Sequence, residues 1–132
     1  MIFLDTNIMS YALKKRPSPV AARITQALRA GPVAVSVIVY AELYFGASLS
    51  QRRKQLESDL AELFESIEVE PWSLHAAHFY ADLRADLTRN GTLIGPLDML
   101  IAAHALSHDA TLVTNNEREF SHIPGLKIEN WT

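Results

Sequence analysis

The stretch Met1-Ile2-Phe3-Leu4-Asp5-Thr6-Asn7-Ile8 decides the fold. Unbroken apolar residues at positions 1–4, with no polar alternation, read as a strand buried on both faces, as in a parallel sheet. Thr6 and Asn7 are good helix-capping residues, and Ile8, Tyr11 and Ala12 recur at helical spacing, so the strand feeds a helix. Asp5 lies at the junction, where a solvated surface carboxylate is not expected.

The same grammar repeats downstream. Residues 20–30 read as a helix stopped by Gly31-Pro32, residues 33–35 as a buried strand, and Ser36 as the cap of a helix running through Glu42 to Gly46. Leu56, Leu60, Leu63, Phe64 and Ile67 recur at helical spacing with Glu57, Asp59, Glu62 and Glu65 between them, which predicts an amphipathic helix with an acidic outer face. A short strand at 69–72, a helix at 74–90 ending on Asn90-Gly91, a helix opened by Pro96 and an apolar strand at 110–114 complete the pattern. Strands alternating with helices imply right-handed crossovers and a mostly parallel sheet covered on both sides, within one α/β domain spanning residues 1–132. In such sheets ligands bind beyond the carboxyl ends of the strands.

Three acids sit inside apolar surroundings at that edge. Asp5 ends the first strand, Glu42 interrupts Val37-Ile38-Val39-Tyr40-Ala41, and Asp98 follows Gly95-Pro96-Leu97 in a first helical turn. Each has an ordinary reading: Asp5 as a helix cap, Glu42 as the partner of an arginine, Asp98 as a dipole-favoured residue. Together, converging carboxylates would repel by about 4 kcal/mol per pair at ~4 Å and an effective dielectric near ~20, so a cation is expected among them. All-oxygen ligation selects Mg2+ or Mn2+, and the matching chemistry is hydrolysis of a phosphodiester.

Charge supports that substrate. The net charge of −3 conceals an asymmetry: residues 1–54 carry eight basic and two acidic side chains, residues 55–132 four basic and thirteen acidic. Lys14, Lys15, Arg16, Arg52, Arg53 and Lys54 can hold a phosphate backbone through counterion release, without reading sequence. There is no cysteine, which excludes disulfides, thiolate nucleophiles and sulfur-ligated zinc. No apolar run approaches a membrane span, and Asp5 interrupts the first run too early for a signal peptide, so a cytoplasmic protein is expected.

Four motifs in series carry a family resemblance: Leu4-Asp5-Thr6-Asn7; Tyr40-Ala41-Glu42-Leu43 with Gly46; Ile94-Gly95-Pro96 with Asp98, Ile101, Ala102, His104 and Ala105; and Leu112-Val113-Thr114-Asn115-Asn116 with Glu119 and Phe120. In that order the chain resembles the PIN-domain ribonucleases, and within them the VapC toxins of bacterial toxin and antitoxin modules. The resemblance extends to Pro124-Gly125-Leu126 and Glu129-Asn130-Trp131. It implies a three-layer α/β/α fold on a five-stranded, mostly parallel sheet, with Asp5, Glu42 and Asp98 as catalytic and metal-binding acids. It further implies a Mg2+- or Mn2+-dependent endoribonuclease that cuts structured RNA, frequently tRNA, a VapB-like antitoxin covering the groove, and a homodimer, to which residues 37–45 could contribute. The chain departs from the family at two points. Asn116 stands where the fourth acid often falls, with Glu119 the candidate replacement, and Val39 stands where a hydroxyl residue is common, with Thr114 able to supply one. One ordered metal is therefore expected rather than two. Thr6, Asn7 and Thr114 join the basic residues as expected substrate-positioning groups.

Remaining motifs favour structural readings. His104 and His108, and His75 and His78, lack a third ligand and a His-Glu-x-x-His pattern, so they are read as packed or surface residues. Tyr40, Tyr44, Phe45, Trp72 and Trp131 are assigned to core or interface before base stacking. The rival functions are an inactive RNA-binding module of the same fold, and phosphotransfer of the receiver or aspartyl-phosphatase kind. The phosphatase pattern needs an acid at position 7, which is Asn.

Overall fold

A computed structural model describes residues 1–14 and 18–132; Lys15 and Arg16, two of the expected phosphate-binding residues, lie outside the described residues. The elements run β1 (Ile2–Leu4), α1 (Thr6–Leu13), α2 (Pro19–Ala30), β2 (Val33–Ser36), α3 (Val37–Leu49), α4 (Arg53–Leu63), β3 (Glu68–Glu70), α5 (Leu74–Asn90), α6 (Pro96–Ser107), β4 (Thr111–Val113), α7 (Glu117–Phe120) and β5 (Lys127–Glu129). The strands form one sheet in the order β3-β2-β1-β4-β5. Every pairing is parallel, with Ile2 opposite both Val33 and Thr111, so the central strand is flanked by the two others that were legible as apolar runs.

Phe3, Leu4, Val33, Ala34, Val35, Leu112 and Val113 are buried, which is what a strand covered on both faces requires. The helices that cover them start on local signals. Ser36 ends β2 and caps α3, its Oγ accepting from the Ile38 N–H at 3.1 Å. Pro96 occupies the first turn of α6, where its missing N–H costs nothing, and Gly91 closes α5 in the left-handed region at φ 68°, a conformation that favours glycine.

Several local expectations are corrected. The cap of α1 is Asp5 rather than Thr6 or Asn7: its Oδ1 accepts from the Ile8 N–H at 3.0 Å, while Thr6 and Asn7 are already helical. The third strand sits at Glu68–Glu70, a little before the expected 69–72. Helix α4 ends at Leu63, and Ile67 is buried beyond it rather than along it. Asp59 is not on an outer face: it is buried and accepts from Gln55 Nε2 at 3.0 Å. Position 59 lies one helical turn after Leu56 and beside Leu60, so it shares their inward stripe.

Candidate functional site

The carboxyl edge of the sheet gathers the acids. Asp5 leaves β1 and caps α1, Glu42 lies midway along α3, Asp98 lies in the first turn of α6, and Asn116 precedes α7 in the loop after β4. Asp5, Glu42 and Asp98 line one cavity of about 130 Å³ with Thr6, Asn7, Asn116 and Phe120. Residues 37 and more positions apart in sequence thus share a volume that holds a few water-sized groups.

Hydrogen bonds fix the walls. Thr6 Oγ1 donates to Glu42 Oε1 at 2.7 Å, tying α1 to α3, and Asn116 Nδ2 donates to Glu119 Oε2 at 3.1 Å. Thr114 is fully buried; its Oγ1 accepts from the Asn116 N–H at 2.9 Å and its hydroxyl also bonds Asp5. Asn7 Nδ2 donates to Asn115 Oδ1 at 3.4 Å across the rim. Thr114 therefore supplies a hydroxyl to Asp5, whereas Val39, at the family's hydroxyl position, is in the core.

The electrostatics record crowding. Burial pushes the Asp5 carboxyl above its usual value, and the nearby Glu42 charge adds to this, against hydrogen bonds from Thr114 and the Ile8 N–H. Asp98 is pushed up to about 6, first by burial, then by a hydrogen bond with Glu119 and by the charges of Glu119, Glu42 and Asp5. Among the described residues, none of these four acids takes part in an ion pair.

The donors are all oxygen, which suits a hard divalent cation. Among the described residues, however, no three His, Asp or Glu side chains form a ready-made ligand cluster. Glu42 is engaged by Thr6 and Glu119 by Asn116 and Asp98, so side-chain rotation separates the observed arrangement from a closed ligand set. The three carboxylates that line the one small cavity are hard oxygen donors, which fits the ion.

A larger cleft of about 920 Å³ opens from the same place, sharing Thr6 and Glu42 and running between α1, α3 and α4. Of Asp5, Glu42 and Asp98 it holds only Glu42, whereas all three line the smaller cavity. Lys14 and Arg52 line the cleft, as do Ser10 and Gln55, which the sequence reading passed over, and the buried Asp59, which it placed on an outer face. Arg53 does not: its Nε donates to Glu57 Oε1 at 2.6 Å along α4, and Lys54 lines neither cavity.

Trp72 packs against His104 and Tyr80, Trp131 is buried beneath the Arg23 guanidinium, and Tyr40 stacks between Tyr44 and Phe64, so these aromatics act as packing groups here. His104 is fully buried and His75 and His78 are exposed, in line with the packed-or-surface reading.

Comparison with known proteins places this geometry. Residues 2–126 match the family described as PIN domain. The chain is 41% identical over 128 residues to "Ribonuclease VapC2" of Rickettsia felis, covering 97% of this chain and 96% of the relative. It is 36% identical over 129 residues to "tRNA(fMet)-specific endonuclease VapC" of Shigella flexneri, covering 98% and 96%. Among solved structures it superposes on VapBC2 of Rickettsia felis bound to a DNA fragment from their promoter, with TM-score 0.95, 40% identity and full coverage of both chains. It also superposes on VapBC-1 of nontypeable Haemophilus influenzae, with TM-score 0.89, 38% identity and 99% and 98% coverage.

Proposed function

This chain belongs to the PIN-domain family, and on that premise we propose that it is the endoribonuclease toxin of a toxin and antitoxin pair, hydrolysing phosphodiester bonds in RNA with a carboxylate-bound Mg2+ or Mn2+. The observation that carries the reading is the convergence of Asp5, Glu42 and Asp98 on one small cavity beside a cleft bearing Lys14 and Arg52. We assign tRNA as the substrate because a relative 36% identical over nearly the whole chain is named a tRNA(fMet)-specific endonuclease.

Asp5, Glu42 and Asp98 would hold the ion, which supplies an activated attacking water and neutralises charge at the phosphate. The residues around it have separate tasks. The Thr6 hydroxyl aims Glu42 into the cavity, and the α1 cap together with Thr114 fixes Asp5. Asp98 is ionised above about pH 6, the form a cation needs, and it is hydrogen-bonded with Glu119. Asn116 donates a neutral hydrogen bond where a further acid would add repulsion, which supports one ion rather than two. Lys14 and Arg52 hold the RNA backbone along the cleft.

The proposed partner is a VapB-like antitoxin whose tail occupies the cleft, by analogy with the VapBC complexes. A homodimer is proposed through α3, where Phe45 is 65% and Leu49 73% exposed one turn apart; a monomer in sedimentation at micromolar concentration would count against it. No helix among the described residues is long and apolar enough to cross a membrane, and we assign action to the cytoplasm, where tRNA resides. Purified protein incubated with total tRNA and Mg2+ or Mn2+ should cut it, and Asp5→Asn and Asp98→Asn should not. Undiminished cutting by both variants would sink the assignment; a gel shift without cutting under either metal would make the chain a binding module.

A further inference from the structure

His104 is the one fully buried histidine, and the mechanism above gives it no task. It lies on α6, whose first turn carries Asp98. Its Nδ1 is 2.7 Å from Ser36 Oγ, the hydroxyl that caps α3, and α3 carries Glu42. The edge of the ring also meets Phe3, with centroids 5.2 Å apart, two residues before Asp5 on the strand that delivers it. One imidazole therefore touches the three chain segments that bring the three acids together.

The tautomer follows from the neighbours. Ser36 Oγ already accepts the Ile38 N–H, so its own proton is free to be given away. The backbone of Pro71, which has a carbonyl but no N–H, lies against the ring and can only accept from it, and Nε2 has no hydrogen bond of full geometry among the described residues. The ring proton accordingly belongs on Nε2, and Nδ1 accepts from Ser36. Burial, reinforced by the charge of His108, pushes the ring down to about 4, so it stays neutral at any working pH.

We propose that His104 is a positioning residue of the acidic site: through Ser36 it locks α6 to the start of α3 and so fixes Asp98 relative to Glu42. This rests on the metal-dependent reading above, and it adds a requirement that plain core packing would not impose. An apolar side chain of similar bulk should preserve the fold yet loosen the ligand set.

The test compares His104→Leu, which keeps bulk without the acceptor, with His104→Asn, which can restore a polar group at the Nδ1 position, and with Ile101→Val, which thins the same helix without touching the link. Free Mn2+ is measured by electron paramagnetic resonance during titration of each full-length, folded variant, alongside tRNA cutting. Loss of a group that orients ligands weakens metal affinity about 10-fold or more, so His104→Leu should bind Mn2+ about 10-fold more weakly and His104→Asn within about 3-fold of the parent. Ile101→Val should bind as the parent does, however its melting temperature moves. Parent-like affinity in His104→Leu, or an equal loss in Ile101→Val, would overturn the proposal while leaving parental cutting and Mn2+ binding intact. If the parent itself neither binds Mn2+ nor cuts RNA, the metal-dependent reading fails instead and takes the proposal with it. Should His104→Leu not fold, Ser36→Ala breaks the same link from the other side, and adding His104→Asn to it should cost no further affinity; additive losses would count against a shared link.

Discussion

Removing one of the proposed metal-binding acids should make this protein more stable, and Asp98 shows how much and at which pH. Its carboxyl is raised from 3.8 to about 6 by burial, by Glu119 and by the charges of Glu42 and Asp5. Below pH 3.8 folded and unfolded chains both carry the proton, and nothing is lost. Between 3.8 and about 6 the folded state keeps the proton while the unfolded state releases it, so stability falls as pH rises through that window and the penalty is complete above it. Two units at 1.36 kcal/mol each set a ceiling of ~3 kcal/mol, and water reaching this half-buried group reduces the expected penalty to ~1–2 kcal/mol. Asp98→Asn carries a neutral amide in place of the charge and can still donate to Glu119. In urea unfolding with EDTA it should match the parent at pH 4 and exceed it by ~1–2 kcal/mol at pH 8, or roughly 3–8 °C in melting temperature. A variant no more stable than the parent at pH 8, or one whose advantage is the same at both pH values, would refute the idea that burial and the neighbouring acids together disfavour the Asp98 charge.

Asp5→Asn should abolish cutting while keeping the α1 cap, because Asn caps as well as Asp, whereas Asp5→Ala should lose the activity and about 1 kcal/mol of stability in the same urea titration. Replacing Lys14 and Arg52 together with alanine should weaken RNA binding and lower the slope of log affinity against log salt by about 1.5, while Arg53→Ala, whose charge is already taken by Glu57, should change neither; filter binding across a salt series reads both. Mn2+ binding to the parent should weaken about tenfold per pH unit below about 6 and level off above it, since the ion and the proton compete for Asp98; a flat Kd from pH 5 to 8 would contradict that. Gly91→Ala should cost about 1 kcal/mol in thermal unfolding, as it strains a left-handed helix end.

The parts of this site that sequence reasoning reached are those governed by local signals. Strand ends, a serine cap, a proline at a helix start and carboxylates inside apolar runs are written in consecutive residues, and the parallel topology carries them to one edge. What escaped depends on contacts between distant residues. Thr6 and Glu42 meet across 36 positions and Ser36 and His104 across 68, and nothing in either neighbourhood names the partner. Arg53 reads as a free base until Glu57, four residues on, is seen to take its charge. The edge strand Lys127–Glu129 has no apolar run of its own and could be anticipated only through the family. Asp59 is a different failure: its helical position relative to Leu56 and Leu60 pointed inward, but its chemistry suggested the surface, and the position prevailed.

The placement of the acids shows how the fold tolerates them. Asp5 caps α1 and Asp98 sits in the first turn of α6, so both lie against helix ends whose unpaired N–H groups carry about half a positive charge. Each such end offsets roughly 0.3–2 kcal/mol, less than the ~4 kcal/mol by which a close pair of carboxylates repels. Glu42 has no helix end to lean on, and it receives a hydroxyl from Thr6 at 2.7 Å. Asp98 carries the heaviest burden, first from burial, then from its hydrogen bond with Glu119 and from the charges of Glu119, Glu42 and Asp5, and its carboxyl is pushed up to about 6. A divalent cation held by Asp5, Glu42 and Asp98 would answer the same deficit with two charges instead of one. The raised affinity of Asp98 for a proton and the proposed affinity of the cavity for a metal are therefore one property of the site, seen with two different ligands.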